Sequence, residues 1–301
     1  MVCCSIILPS RNGADTLPLV LDALAQLERV EGGVEILLVD NGSTDDTKAL
    51  MARFAAGGRA IVLDEPRAGK SHALNTGIAN ATGDLLIFLD DDAIPSEQWL
   101  ASYLDAAESF PDAGAYAGAI APHWLGPAPE WLAALADKGR ACGCTAPERE
   151  AGPIAPDEVK GANFAVRRDI LGDERFETGA VNFGQGKLAI GGEDSMMARA
   201  LVRRGATFRF VPAAKVEHII SQDEMKLAFQ LGRFARIGRG AAAMRKGGAL
   251  EAAKAAGRTA VWMGQAGLRL AMGRRGGAAE SLTRAAQSWG GFTYRVRKGA
   301  K

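Results

Sequence analysis

Leu85-Leu-Ile-Phe-Leu-Asp-Asp-Asp92 decides the fold class: five apolar residues with no polar alternation, then three consecutive carboxylates. A strand that is apolar at every position is covered on both faces, which calls for a sheet between two layers of helices. Upstream, residues 34–39 repeat the pattern and stop at Asp40-Asn-Gly42; residues 3–8 do the same and stop at Pro9; residues 60–63 give a further strand. Between them lie helical stretches. Leu17, Val20, Leu21, Leu24 and Leu27 recur at helical spacing behind a cap at Asp15 or Thr16, and Thr44 caps a helix with Asp45 and Asp46 in its first turn. Residues 70–80 read as helix, and Ser96 begins another over 97–109. Single helices between apolar strands predict an α/β protein with a parallel sheet.

Beyond Ile120 the alternation lapses. Residues 121–160, rich in Pro, Gly and Ala, read as a long variable segment that shapes a pocket. Strands are expected at 163–166, 207–211 and 215–218, and a helix at 194–204. The remainder, 226–301, reads as helices.

The 301 residues are 48% hydrophobic and 24% charged, which excludes a disordered, collagen-like or disulfide-scaffold chain. A formal charge of +1 conceals an asymmetry: residues 226–301 hold 16 Lys and Arg against Glu251 and Glu280, leaving 20 basic and 33 acidic residues in 1–225. An acidic body with a basic tail implies two kinds of partner. The opening has no basic segment before its apolar run, and no stretch reaches the length of a membrane span, so a cytoplasmic location is expected, with its four cysteines as thiols.

Ligands bind parallel sheets at the carboxyl ends of the strands. Three polar clusters stand there: Pro9-Ser-Arg-Asn-Gly13, Asp40-Asn-Gly-Ser43 and Asp90-Asp-Asp92. Adjacent carboxylates repel one another unless a cation sits among them, and an oxygen-rich set without sulfur suits Mg²⁺ or Mn²⁺, which also bind phosphate oxygens. Arg67 and Lys70 supply cations for phosphate at the start of the next helix. Neither GxxxxGK[ST] nor GxGxxG is present, so the residues point to a metal-assisted nucleoside-diphosphate site rather than an ATPase or a dinucleotide enzyme.

Ser5-Ile-Ile-Leu-Pro-Ser-Arg-Asn-Gly13, Leu38-Val-Asp-Asn-Gly-Ser-Thr-Asp45, Gly69-Lys-Ser-His-Ala-Leu-Asn-Thr-Gly77, Phe88-Leu-Asp-Asp-Asp92, Gly161-Ala-Asn-Phe-Ala-Val-Arg167 and Gly191-Gly-Glu-Asp-Ser195 follow in order. Together they resemble the family 2 glycosyltransferases, over about residues 3–240. The resemblance implies a GT-A-type α/β/α sandwich over 1–225, with a nucleotide-sugar half (1–120) and an acceptor half (121–225), followed by a basic helical appendage over 226–301. It implies an inverting, metal-dependent transfer of a sugar from a UDP, dTDP or GDP donor to a glycan or lipid-linked acceptor. Donor binding falls to Pro9, Ser10, Arg11, Asn12, Asp40 (on the base), Gly42, Ser43, Arg67, Lys70, Asp90 and Asp91. Metal binding falls to Asp90, Asp92 and His218, and catalysis to Asp194 as base beside Glu193. Processive members carry QxxRW, whereas here Gln230-Leu-Gly-Arg233 precedes Phe234, which favours single transfers.

Arg233, Arg236 and Arg239 recur every three residues beside Phe234 and Ile237, as suits a helix near an anionic membrane surface. Basic and apolar faces do not separate cleanly, since Lys254 shares a side with Leu250 and Leu268. The tail has no nucleic-acid motif and few aromatics, so no nucleic acid is expected. Two alternatives remain. A sugar nucleotidyltransferase would need no acceptor base, and a non-catalytic binding protein would leave the strand-end carboxylates without a role.

Overall fold

The computed structural model describes residues 4–28, 30, 33–178, 192–245 and 247–299; residue 3 of the first expected strand and Gly191 lie outside them. The first half alternates as the pattern dictates: β1 (Cys4–Ser10), α1 (Leu17–Ala25), β2 (Val34–Asp40), α2 (Thr47–Ala55), β3 (Ile61–Asp64), α3 (Lys70–Asn80) and β4 (Leu85–Leu89). Then come β5 (Ala93–Pro95), α4 (Trp99–Ser109), β6 (Ala115–Trp124), α5 (Glu130–Ala136), β7 (Gly152–Pro153), a 3-10 turn (Pro156–Glu158), β8 (Asn163–Arg167) and α6 (Arg168–Leu171). The chain closes with α7 (Glu193–Arg203), β9 (Phe208–Ile220), α8 (Leu227–Ala243), α9 (Ala249–Ala271) and α10 (Arg275–Gly299).

The sheet runs β3-β2-β1-β4-β8-β6-β9-β5, with β7 beside β9. β1 pairs in parallel with β2 and β4, and β2 with β3; β8 then pairs antiparallel with β4 and β6, and β9 antiparallel with β5 and β7. The sheet is therefore mixed rather than parallel throughout. Successive side chains of β1 serve opposite faces, as a two-residue period requires. Ile6 and Leu8 join Leu17, Leu24, Met51, Trp99 and Tyr103 on one side, while Ile7 joins Leu74, Ile78, Met197 and Leu201 on the other. Each fully buried side chain of this size contributes about 1.5–3 kcal/mol.

Four local expectations are corrected. Neither Asp15 nor Thr16 caps α1 through its side chain; Pro18 lies in the first turn instead. Thr44 does not cap α2, because the helix starts three residues later, at Thr47; the Thr44 amide donates instead to Asn12 Oδ1 (2.8 Å). The helix expected from Ser96 starts at Trp99, since β5 pairs with β9 and the Ser96 amide donates to Lys215 O (3.0 Å). The two strands expected over 207–218 are one, running through exposed Pro212 and Ala213. Within 121–160, β6 continues to Trp124, α5 buries Leu132, Leu135 and Ala136, and β7 extends the sheet, so the segment is partly ordered by short elements.

The chain divides into two compact units. The first comprises Met1–His123, Cys142–Thr178 and Glu193–Ile219 and carries the sheet's core; the second includes Trp124–Ala141 and Ile220–Lys301. In the second, α10 packs along both α8 and α9. Gly238 and Gly290 permit this approach: a Cβ on either would run into the backbone of Gln287 or Ala235 on the facing helix.

Candidate active site

The register of β1, β2 and β3 sets Ser10 opposite Asp40 and Asp40 opposite Asp64, so the polar residues after each strand share one sheet edge. Pro9 and Ser10 close β1 buried, and Ser10 Oγ donates to Asp91 Oδ2, tying that strand end to the three-carboxylate run after β4. Asn12 adopts a left-handed conformation (φ 54°), and its amide donates to Ser43 Oγ (3.1 Å), while Arg11 is exposed. Asp40 is buried and accepts from the Ser43 amide (3.2 Å) across the turn at Gly42 (φ 67°).

Asn41 is a fastener that the motif reading passed over. Its Nδ2 donates to Glu65 O (2.9 Å) and Arg67 O (2.7 Å), and its Oδ1 accepts from the Gly69 amide (2.8 Å), fixing the segment that leads into α3. Arg67 is exposed but already paired. Its guanidinium forks onto buried Glu65 (2.9 and 2.6 Å), whose carboxyl is held down at about 2, chiefly by that hydrogen bond. Nothing but Glu65 being two residues away could have signalled this pairing.

Lys70, the first residue of α3, reaches Asp90 Oδ1 at 2.5 Å. Burial works against its charge, but Asp90, Asp194 and Glu193 together outweigh burial and raise its pKa. Asp194 stands in the first turn of α7, where the helix dipole favours a carboxylate. Its Oδ2 accepts from the Gly161 amide (3.0 Å), and its buried Oδ1 has no hydrogen-bond partner among the described residues. Burial, and then the charge of Glu193, push this carboxyl up to about 7, against the pull of Lys70. Only glycine fits at 161, because a Cβ there would occupy the space of the Asp194 carboxyl.

Asp91 is likewise pushed up to about 7, by burial and by the charges of Asp92 and Asp90. Asp92 meets His218 because β5 and β9 pair with Ala93 opposite His218; Nε2 lies 3.2 Å from Asp92 Oδ2. The other ring nitrogen, Nδ1, lies 2.6 Å from Cys142 O. A carbonyl only accepts, so Nδ1 carries the proton and Nε2 is the nitrogen turned to the carboxylate. Among the described residues, no group of three or more His, Cys, Asp and Glu side chains forms a ready-made metal cage. The donor set nonetheless fits a divalent cation of the Mg²⁺ or Mn²⁺ kind, which takes one or two carboxylates and completes its shell from phosphate and water. The upward shift at Asp91, set first by burial and then by the charges of Asp92 and Asp90, is one that a bound cation would relieve.

The structure thus gathers Ser10, Asp40, Lys70, Asp90, Asp91 and Asp194 around the carboxyl ends of β1, β2 and β4, with Asp92 and His218 joined through β5. Asn163, expected within an acceptor-side segment, is a buried brace instead. Its Oδ1 accepts from Trp99 Nε1 and Tyr103 OH (both 2.8 Å), and its Nδ2 donates to Ala119 O (2.9 Å) and Ala214 O (2.8 Å).

The sequence profile of the Glycosyl transferase family 2 matches residues 5–170, more than half of the chain. The chain belongs to that family. The matched span contains Asp40, Lys70, Asp90 and Asp92, while Asp194 and His218 lie beyond it. Glycosyltransferase AglE of Haloferax volcanii is 36% identical over 98 residues, 32% of this chain and 32% of that protein. Glucosyl-3-phosphoglycerate synthase of Mycolicibacterium paratuberculosis is 36% identical over 97 residues, 30% of this chain and 28% of that protein. The matches to these relatives therefore span about a third of their length or less. Among solved structures, the mannosyltransferase PcManGT from Pyrobaculum calidifontis, in complex with GDP-Man and Mn²⁺, superposes with a TM-score of 0.63 at 22% identity over 95% of this chain and 86% of that one. GalNAc-T7 with UDP, GalNAc and Mn²⁺ gives a TM-score of 0.55 at 19% identity, over 74% of this chain and 44% of that one. These likenesses show the fold, that of the GT-A glycosyltransferases.

Proposed function

We propose that this family member is a metal-dependent, inverting glycosyltransferase that moves a sugar from a nucleoside diphosphate to an acceptor hydroxyl, one transfer at a time. The observation that carries the reading is Asp194: a carboxyl pushed up to about 7 by burial, its Oδ1 without a hydrogen-bond partner among the described residues, set beside the Lys70–Asp90 pair. A base poised near neutrality takes the proton of a hydroxyl as its oxygen attacks the anomeric carbon. The bond from that carbon to the diphosphate oxygen breaks with its electron pair on the leaving nucleoside diphosphate. One base on the face opposite the leaving group gives inversion, whereas a hydrolase would flank the bond with two carboxylates.

In this reading Asp40 accepts from an N–H of the base, which suits uracil, thymine or guanine, and Ser10 and Asn12 hold the β1 turn against it. Lys70 faces the diphosphate, and Asp90 and Asp92, with His218 behind, hold the cation. Mn²⁺ or Mg²⁺ bound there would supply charge stabilisation to the departing diphosphate. Support comes from the structural neighbours, two of which contain Mn²⁺ with GDP-Man or with UDP and GalNAc. The acceptor is a glycan or lipid-linked hydroxyl of cell-surface synthesis. Turnover of nucleoside-diphosphate sugars by Asp194→Asn tests the assignment. A loss of about 10²–10⁴-fold in kcat with donor affinity kept is expected for removal of a general base; near wild-type turnover would overturn it.

A further inference from the structure

Helix α9 is built inside out. Its buried positions are Ala252, Ala255 and Ala266, whereas Leu250, Val261, Leu268 and Met272 are 69%, 58%, 62% and 55% exposed. At about 100° per residue these four fall within a sector of about 40° opposite the alanines, while Met263 and Leu270, also exposed, lie on the alanines' side. An amphipathic helix of a self-contained unit turns its large apolar side chains inward and its small or polar ones outward. Toward α10 the helix turns Trp262, which lies under the Arg284 guanidinium (4.6 Å), and Arg269, which donates to Gly277 O (2.7 Å), while the four large apolar side chains stay exposed. No helix among the described residues is long and apolar enough to cross a membrane, so the stripe is one that lies along an apolar boundary rather than spanning it.

The charge around the stripe selects the occupant. Lys254 stands within the stripe's sector and Arg258 beside it, and exposed Arg274 and Arg275 stand just past its end. The two acids of residues 226–301 are both engaged: Glu251 with Lys254 (2.7 Å), and Glu280 with Arg140 (2.7 Å) and Arg284 (3.0 Å). Within residues 226–301 no further acid balances the other basic side chains; the opposite charge of the chain lies in residues 1–225. A second copy seated on the stripe would bring arginines against arginines, whereas an anionic lipid surface accepts both the apolar side chains and the cations. Lys254, which blurs the faces in the sequence, is held aside by its ion pair with Glu251.

We infer that α9 docks the second unit onto an anionic lipid bilayer, lying in its plane with Leu250, Val261, Leu268 and Met272 inserted and Arg258, Arg274 and Arg275 at the headgroups. This inference stands independently of the catalytic reading. Flotation of the full-length chain with phosphatidylcholine vesicles, and with vesicles containing phosphatidylglycerol, tests it without any substrate. Binding only to the anionic vesicles, weakened by salt, is expected. Val261→Glu with Leu268→Glu, both at exposed positions and checked for unchanged circular dichroism, should bind at least about tenfold more weakly. Arg258→Glu with Arg274→Glu should also weaken binding while leaving the stripe intact. Absence of flotation, equal binding to neutral vesicles, or a concentration-dependent dimer abolished by the Val261 and Leu268 changes would overturn the inference.

Discussion

Replacing Asp194 by Asn should stabilise the protein while stopping its chemistry. The carboxyl's pKa lies about 3 units above its ordinary 3.8, at about 7, because burial and Glu193 disfavour its charge. Each unit is about 1.36 kcal/mol, so keeping Asp194 ionised in the folded state costs up to about 4 kcal/mol above neutral pH. For an acid whose folded pKa is raised, the folded state binds the proton more tightly, and stability falls as pH climbs from about 4 to about 7. Asparagine carries no such charge, matches the shape, and keeps an oxygen for the Gly161 amide. Urea unfolding near pH 8 should therefore find the variant more stable. Even half the ceiling raises Tm by about 3 °C in a chain of 301 residues. Near pH 4 the difference should shrink below about 1 kcal/mol, where both states hold the proton. A variant less stable than wild type near pH 8, or a difference independent of pH, would refute the reasoning.

Lys70→Met should cost about 2–3 kcal/mol near pH 8, since it strands Asp90, Asp194 and Glu193 without their cation. Urea unfolding should show that cost shrinking near pH 5 as the carboxyls take up protons. Asn163→Leu leaves Trp99 Nε1, Tyr103 OH, Ala119 O and Ala214 O without their partner. Its expected cost in chemical unfolding is at least about 3 kcal/mol, from several buried groups each losing a hydrogen bond.

Much of the site was legible because parallel strands end where their ligands bind, and the residues after β1, β2 and β4 are polar in each case. The Lys70–Asp90 and Asp92–His218 contacts could not be read locally. The first depends on where α3 begins, and the second on β5 and β9 pairing across more than a hundred residues. Asn41 and Asn163 escaped notice because an asparagine beside a strand looks like turn chemistry until its partners are known. The Arg67–Glu65 pair was hidden for a related reason: nothing local shows which carboxylate a cation near a helix start will meet. The order within 121–160 was hidden by elements too short for periodicity to register, α5 having seven residues and β7 two.

Thermal unfolding with UDP, GDP, dTDP and CDP, each with and without Mn²⁺, addresses the donor site most directly. One nucleotide at about a hundredfold excess over its Kd should add about 2.7 kcal/mol of stability. That shift should require Mn²⁺ and disappear in Asp40→Ala and in Asp92→Asn. No shift with any nucleotide, or one indifferent to the metal and to both substitutions, would contradict a metal-assisted nucleoside-diphosphate site at the ends of β1, β2 and β4.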